Sequence, residues 1–327
     1  MLIDTEYRMH FEYDDYIRDS QMEIRVEPQT LPQQAVHSFQ LSVGPQASVE
    51  RYIDWNGNWV HHLSIRDYHD RIEILARSLV DTWPDGRSLA QLDTTMPEPA
   101  SSQHLDFARF DGPVERTPAL EELEAKLSSD ASASVGEQVL AVGDLLGTEL
   151  EYRAGVTTWR SNVAEVLAHR SGVCQDFTHV ALGLLRLRGI PCRYVSGYLH
   201  LEGDTTQSHA WIEVFGANCG WVAYDPTHQR ETNEHYVTVG TGRNYGDVPP
   251  NRGVYRGSAD ETLRADVHTE TAASVDVAQL QRQNEGIDVP TYTELPASAR
   301  SNETRSGEMP DPQREQQQQQ QQTSPLA

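Results

Sequence analysis

The sequence predicts an α+β protein, with an antiparallel β-rich N-terminal region followed by a core that joins helices to a β-hairpin. Three observations carry this. Polar and apolar residues alternate around Met22 to Val26, Phe39 to Val43 and His62 to Arg71, the period of half-buried strands. After Cys174 the apolar residues Phe177, Val180, Ala181, Leu184 and Leu185 recur at helical spacing until Gly189-Ile190-Pro191 stops them. Residues 208–215 and 220–225 then read as two aromatic strands around the turn-forming stretch Gly216-Ala217-Asn218-Cys219-Gly220.

Taken in order, residues 1–80 form the β-rich domain and 81–134 a linker with a helical lead-in. TWPDGRSLAQLDTTMPEPASSQ lacks periodicity and is rich in Pro, Ser and Asp, so it is expected to run over the surface. Helical patterning covers Ala119 to Leu127 and Val135 to Leu146, and the core spans 135–256. Apolar residues thin out over 257–295, a C-terminal extension, and 296–327, including Gln316 to Gln322, reads as a disordered Gln-rich tail.

Cys174 opens a helix. There the unpaired backbone N–H groups and the positive end of the helix dipole favour the thiolate, the nucleophilic form. His209 and Asp225 lie on the two hairpin strands. If Val214 pairs with Gly220, His209 sits directly opposite Asp225 on one face, with Trp211 opposite Ala223, while Ala210, Ile212, Val214, Val222 and Tyr224 form an apolar face. A carboxylate beside an imidazole fixes its tautomer and supports its charge, so Cys174, His209 and Asp225 have the composition of a nucleophilic triad.

Other polar residues read differently. His179, five positions after Cys174, is rotated away from the thiol and is expected at the surface or behind the site. Asp176 suits the helix dipole, and Glu213 is expected at the rim of the His209 face. His61, His62 and His69 invite a metal, but adjacent strand residues face opposite ways, so packing or solvated roles are expected. Cys192 and Cys219 form no CxxC pair with each other or with Cys174; no metal or cofactor site is expected.

The motifs GVCQDF, RGIPCRYVSGYL, HAWIEV and GWVAYDPT resemble the core of the transglutaminase-like superfamily. EYRAGVTTWRSNVAEVLAHR is similar to the lead-in helix of that domain, and YRMHFEYDDYIRDSQMEIRVEP with YIDWNGNWVHHLSI to the β-rich N-terminal region of microbial members. The likeness spans residues 1 to about 256. It implies a papain-like core with Cys174 as nucleophile, His209 as general base and acid and Asp225 as the orienting group. It further implies acyl transfer on peptide or protein amides through a thioester, with an amine or water as acceptor; a cysteine peptidase or amidase and a non-catalytic peptide-binding module are the alternatives. The Cys174 N–H is the expected oxyanion donor. Trp159 is a weak candidate for a second, a buried aromatic contact being its more ordinary role.

The formal net charge is −23, and Lys126 is the only lysine. This excludes the basic footprint of a nucleic-acid binder. The stretch MLIDTEYRMHFEYDD has neither basic n-region nor apolar core, and no run approaches a membrane span, so a cytoplasmic protein with reduced thiols and no membrane partner is expected. Oligomeric state is left open. So acidic a chain resembles those of salt-loving microbes, where carboxylate repulsion, reaching about 10 Å at 0.1 M salt and about 3 Å at 1 M, is screened. Thermal melts are therefore expected to rise between low and multimolar KCl; a melting temperature indifferent to salt would refute this reading.

Overall fold

The structure is a computed structural model that describes residues 1–92, 102–128, 130, 132–201, 207–275 and 286–296. The tail and Gln316 to Gln322 lie outside the described residues. Two compact units emerge, one comprising Met1–Thr82, His200 and the chain from Pro249, the other Trp83–Leu199 and Ser208–Val248.

The first unit is organised by one long strand, β1 (Leu2–Ile24). Its inward residues Tyr7, Met9, Phe11 and Tyr13 alternate with outward polar ones, which is the period-two pattern a one-sided sheet requires. Strands β2 (Gln34–Gly44), β3 (Ser48–Ile53), β4 (Trp59–Ile65) and β5 (His69–Thr82) follow, in the sheet order β2-β5-β1-β4-β3. The first half of β1 pairs with β5, from Leu2↔Asp81 to Glu12↔Arg71. Bulges follow, and Asp19 takes a left-handed φ of 51°. These bend the strand so that Ser20 to Ile24 can pair with β4 instead.

Five shorter or more distant elements belong to the second unit before its core strands: α1 (Ser102–Leu105), α2 (Pro118–Glu124), α3 (Val135–Glu149), β6 (Glu151–Tyr152) and α4 (Val163–His169). Each of the longer helices starts at a side-chain cap: Thr117 Oγ1 accepts from Leu120 N, Ser134 forms a capping box with Glu137, and Asn162 Oδ1 accepts from Glu165 N. The helices expected near Ala119 and Val135 are thus present, and the lead-in helix is confined to α4. The segment expected on the surface instead buries Leu89 and Leu92 in the core, against α3, where Gly136 leaves room for the Leu89 carbonyl. The Pro- and Ser-rich composition concealed two leucines at anchoring positions.

β7 (Ser171–Gly172) lies parallel to β6 and leads into α5 (Cys174–Leu187), which ends at Gly189 with φ 71°. β8 (Cys192–Leu199), β9 (Gln207–Gly216), β10 (Gly220–Asp225), β11 (Arg230–Glu231) and β12 (Tyr236–Gly242) form a sheet of order β11-β10-β9-β8-β12. The expected apolar face of the hairpin packs with Val180, Ala181, Leu184 and Leu185 of α5 in one core.

The chain beyond Val248 returns to the first unit, which moves two boundaries. β13 (Asn251–Arg256), placed by the sequence in the catalytic core, pairs with the second half of β1, and β14 (Glu261–Thr271), within the supposed extension, pairs with its first half from Tyr13↔Glu261 to Ile3↔Thr271. Leu263 and Ala265 are sparse on β14 but buried. No described helix is long and apolar enough to cross a membrane. Because a chain ending at Leu295 keeps the Tyr68↔Tyr292 bridge, it is expected to melt with the full-length protein. Leu263→Ala is expected to cost about 2–5 kcal/mol in denaturant unfolding; equal stability of Leu263→Ala and wild type would show that β14 is not part of the folded unit.

Candidate active site

Asp225 is the centre of the site. It ends β10 fully buried, and a buried carboxylate requires compensation. Its Oδ1 accepts the backbone N–H of Thr227 at 2.9 Å and of His228 at 3.2 Å. Oδ2 accepts from His209 Nε2, His228 Nδ1 and Tyr236 Oη, each at 2.7 Å. Burial alone would raise the carboxyl; the charge and hydrogen bond of His209, with those of His228, instead hold it well below the usual carboxylate range.

His209 is 5 % exposed on β9. Burial would depress its imidazole, but the Asp225 charge and hydrogen bond, joined by a hydrogen bond with Cys174, raise it to about 10. With Nε2 on Asp225, Nδ1 is the ring nitrogen left for the thiol. Cys174, His209 and Asp225 are thus brought together as the sequence anticipates, but in another register. Gly220 pairs with Gly216 and Val222 with Val214, so Tyr224 faces Ile212 and the continuing ladder sets Asp225 beside Trp211. The shift of two residues keeps His209 and Asp225 on one face, and their hydrogen bond runs diagonally across the strands.

Cys174, 2 % exposed, is the first residue of α5, so its N–H has no intrahelical acceptor. Asp176 holds this helix start in place. Its Oδ2 accepts from Val173 N and from Thr157 Oγ1, both at 2.7 Å. A Cβ on Gly172 would stand 2.4 Å from that oxygen, so only glycine admits the cap. Burial raises the carboxyl to about 6 against the two hydrogen bonds, and Oδ1 has no partner among the described residues. The capping role therefore exceeds a favourable dipole contact. Gln175 Nε2 donates to the Trp159 carbonyl at 3.2 Å, while Trp159 itself is half-buried with the Arg160 guanidinium 4.8 Å above its ring.

The chain is similar to known proteins. Residues 121–226 fit the model of the transglutaminase-like superfamily and residues 3–81 that of the bacterial transglutaminase-like N-terminal region. An uncharacterized protein of Mycobacterium leprae is 35% identical over 246 residues, 72% of this chain and 86% of its own. The chain belongs to the transglutaminase-like superfamily. A solved structure of a Cytophaga hutchinsonii protein proposed to be a cysteine protease shares the fold of this transglutaminase-like protein, with a TM-score of 0.68 at 20% identity over 84% of this chain and 92% of that one. A Pseudomonas aeruginosa protein-glutamine gamma-glutamyltransferase is 36% identical over 69 residues, 18% of this chain and 10% of that protein.

Other expectations for this superfamily member need correction. Glu213 is not at a rim: it is 5 % exposed and its Oε2 accepts from Arg193 Nε at 2.6 Å, with the Arg193 guanidinium 4.3 Å from the Trp221 ring centroid. In the first unit, His61 Nε2 donates to Glu27 Oε2 at 2.8 Å, and His69 bonds Ser20 and the Asp67 carbonyl. Among the described residues, the one group with metal-ligand spacing is His209, Asp225 and His228, whose ligand atoms lie within 4.8 Å of one another. A metal there would have to displace the two N–H protons directed at Asp225. His228 and Tyr236 were missed; the signal available was the spacing of DPTH, a histidine three residues beyond the carboxylate across a Pro turn.

His179 is fully buried rather than at the surface, because α5 is covered on every side. Its Nε2 accepts the Tyr245 N–H at 3.2 Å, so the neutral ring carries its proton on Nδ1. Burial and the nearby Arg186 charge depress it to about 3. A histidine with a lowered folded-state pKa contributes stability above its unfolded value near 6.5 that is lost as pH falls toward 3; Asp176, raised to about 6, acts in the opposite sense over about 4 to 6. His179→Gln keeps an acceptor and does not titrate, so the wild-type unfolding midpoint in denaturant is expected to fall relative to that of His179→Gln between pH 7 and pH 4.5; a constant difference would assign the acid sensitivity elsewhere.

Proposed function

We propose that the chain is a cysteine acyltransferase acting on peptide or protein amides through a thioester, with Cys174 as nucleophile, His209 as general acid and base and Asp225 as the orienting group. The observation that carries this is the buried His209 ring, held by Asp225 on one nitrogen and facing Cys174 with the other. The imidazolium is stabilised below the unfolded value near 6.5 and retained as pH rises until the raised folded value is passed; Asp225 stays ionised above its own lowered value. Through neutral pH the ring can therefore hold a proton beside Cys174.

In the first half-reaction the thiolate adds to the amide carbonyl carbon, and the oxyanion develops near the Cys174 N–H. The C–N bond then breaks, the imidazolium proton goes to the leaving nitrogen, and a thioester remains. In the second, His209 takes a proton from an amine or water as it attacks the thioester, and the thiolate departs. An amine acceptor gives cross-linking and water gives deamidation or hydrolysis. The short match to a protein-glutamine gamma-glutamyltransferase supports a glutamine amide as the donor to test first. A cytoplasmic setting, which keeps the three free cysteines reduced, belongs to the same reading.

Mass spectrometry of a glutamine peptide library incubated with the protein, with and without a primary amine, tests the reaction and its acceptor. Amine adducts identify a transferase, conversion of glutamine to glutamate a deamidase, and chain cleavage a peptidase; unchanged peptides would argue for a binding module. Cys174→Ala should abolish turnover, His209→Ala should lower it by roughly 10³-fold or more, and Asp225→Ala should leave measurable residual activity. Full activity in Cys174→Ala would end the proposal. Cys192, whose thiol burial pushes up to about 11, should stay unalkylated in the folded protein.

A further inference from the structure

Three donors converge on one oxygen. Asp225 Oδ2 stands 2.7 Å from His209 Nε2, from His228 Nδ1 and from Tyr236 Oη. An ionised carboxylate can only accept, so all three partners donate. This assigns His228 a proton on Nδ1. Arg230 Nε donates to Tyr236 Oη at 3.0 Å, which leaves the hydroxyl proton for Asp225.

The local chain explains why His228 is there. After β10 ends at Asp225, Pro226 presets a turn, and the N–H groups of Thr227 and His228 bond back to Oδ1. Gln229 closes the turn with φ 52°. The His228 ring is thereby folded onto the other oxygen of the same carboxylate, with its centroid 5.1 Å from that of His209. Its side chain is 40% exposed, whereas that of Asp225 is fully buried. No packing requirement holds so open a ring in this place.

We infer that His228 is a positioning residue of this site: by donating to the oxygen that orients His209, it fixes the imidazole's aim and limits how strongly Asp225 draws on its proton. The inference rests on the function proposed above. Tyr236 acts on the same oxygen from β12. The ionisable side chains against His209 are Cys174 from α5, Asp225 from β10, His228 from the following turn and Tyr236 from β12. Each donor spreads the carboxylate charge. With one removed, more of that charge acts on His209, which keeps its proton to higher pH, and Asp225 gains freedom to rotate, so the ring is aimed at the thiol less of the time.

The test is the pH dependence of iodoacetamide alkylation at Cys174, read by peptide mass spectrometry in the full-length chain. Wild type should show an acid inflection as the thiolate–imidazolium pair forms and an alkaline one as His209 loses its proton. In His228→Ala the alkaline inflection should move up by about half a unit to one unit and the rate between inflections should fall several-fold. His228→Asn, which keeps an N–H donor near the Nδ1 position, should restore both, and Tyr236→Phe should shift the inflection in the same direction as His228→Ala. A His228→Ala profile that overlays wild type, moves to lower pH, or is not restored by Asn at unchanged melting temperature would overturn the inference. A wild-type profile with only the single inflection of an ordinary thiol would overturn the proposed function and this inference with it.

Discussion

The site depends on the cost of burying the Asp225 charge. A carboxylate without water is expensive unless each lone pair is met, and here five donors meet two oxygens. Two come from its own turn, and the others from β9, the turn histidine and β12. The charge can be buried only when those segments are in place, so it binds the sheet order β10-β9-β8-β12 into one electrostatic unit. The same compensation that makes the burial tolerable makes the His209 ring a cation held at a defined angle.

What sequence reasoning could reach was whatever period and local chemistry determine. A strand has period two, so the face shared by His209 and Asp225 was legible, and Ala210, Ile212 and Val214 sit in the core as expected. Period does not determine register: the assumed pairing of Val214 with Gly220 and the observed pairing with Val222 differ by two residues and present the same faces. Only the turn geometry separates them, since Gly220 with φ 78° closes against Gly216. The helix that opens at Cys174 was legible because Gly189 and Pro191 end it and the apolar spacing fills it.

Other features were illegible for a different reason. β14 reaches β1 across most of the chain, and its Leu263 and Ala265 are too few to signal a strand alone; the pairing is specified by β1, whose inward Met9 and Phe11 need covering. Glu213 was misplaced, and His179 was left open between the surface and a place behind the site, because a helical or strand offset tells direction relative to one neighbour and says nothing of what lies on the far side. In each case a distant group, the Tyr245 N–H or Arg193, makes the buried position tolerable.

The same logic accounts for the rigidity required of the thiol. α5 buries every residue from Cys174 to Arg186, so its polar side chains have no water and must bond to the surrounding chain. Gln175 takes the Trp159 carbonyl, Asp176 takes Thr157 and its own N-cap, His179 takes the Tyr245 N–H, and Arg186 donates to the carbonyls of Phe107, Cys192 and Arg243. A helix that was simply apolar on all sides could slide or rotate by a fraction of a turn with little change in contact area. One wired through polar groups at its start, middle and end cannot, because any such motion would strand several buried donors at once. Fixing Cys174 to the accuracy that the proposed attack on a carbonyl demands thus follows from placing polar residues where a stability argument alone would prefer none.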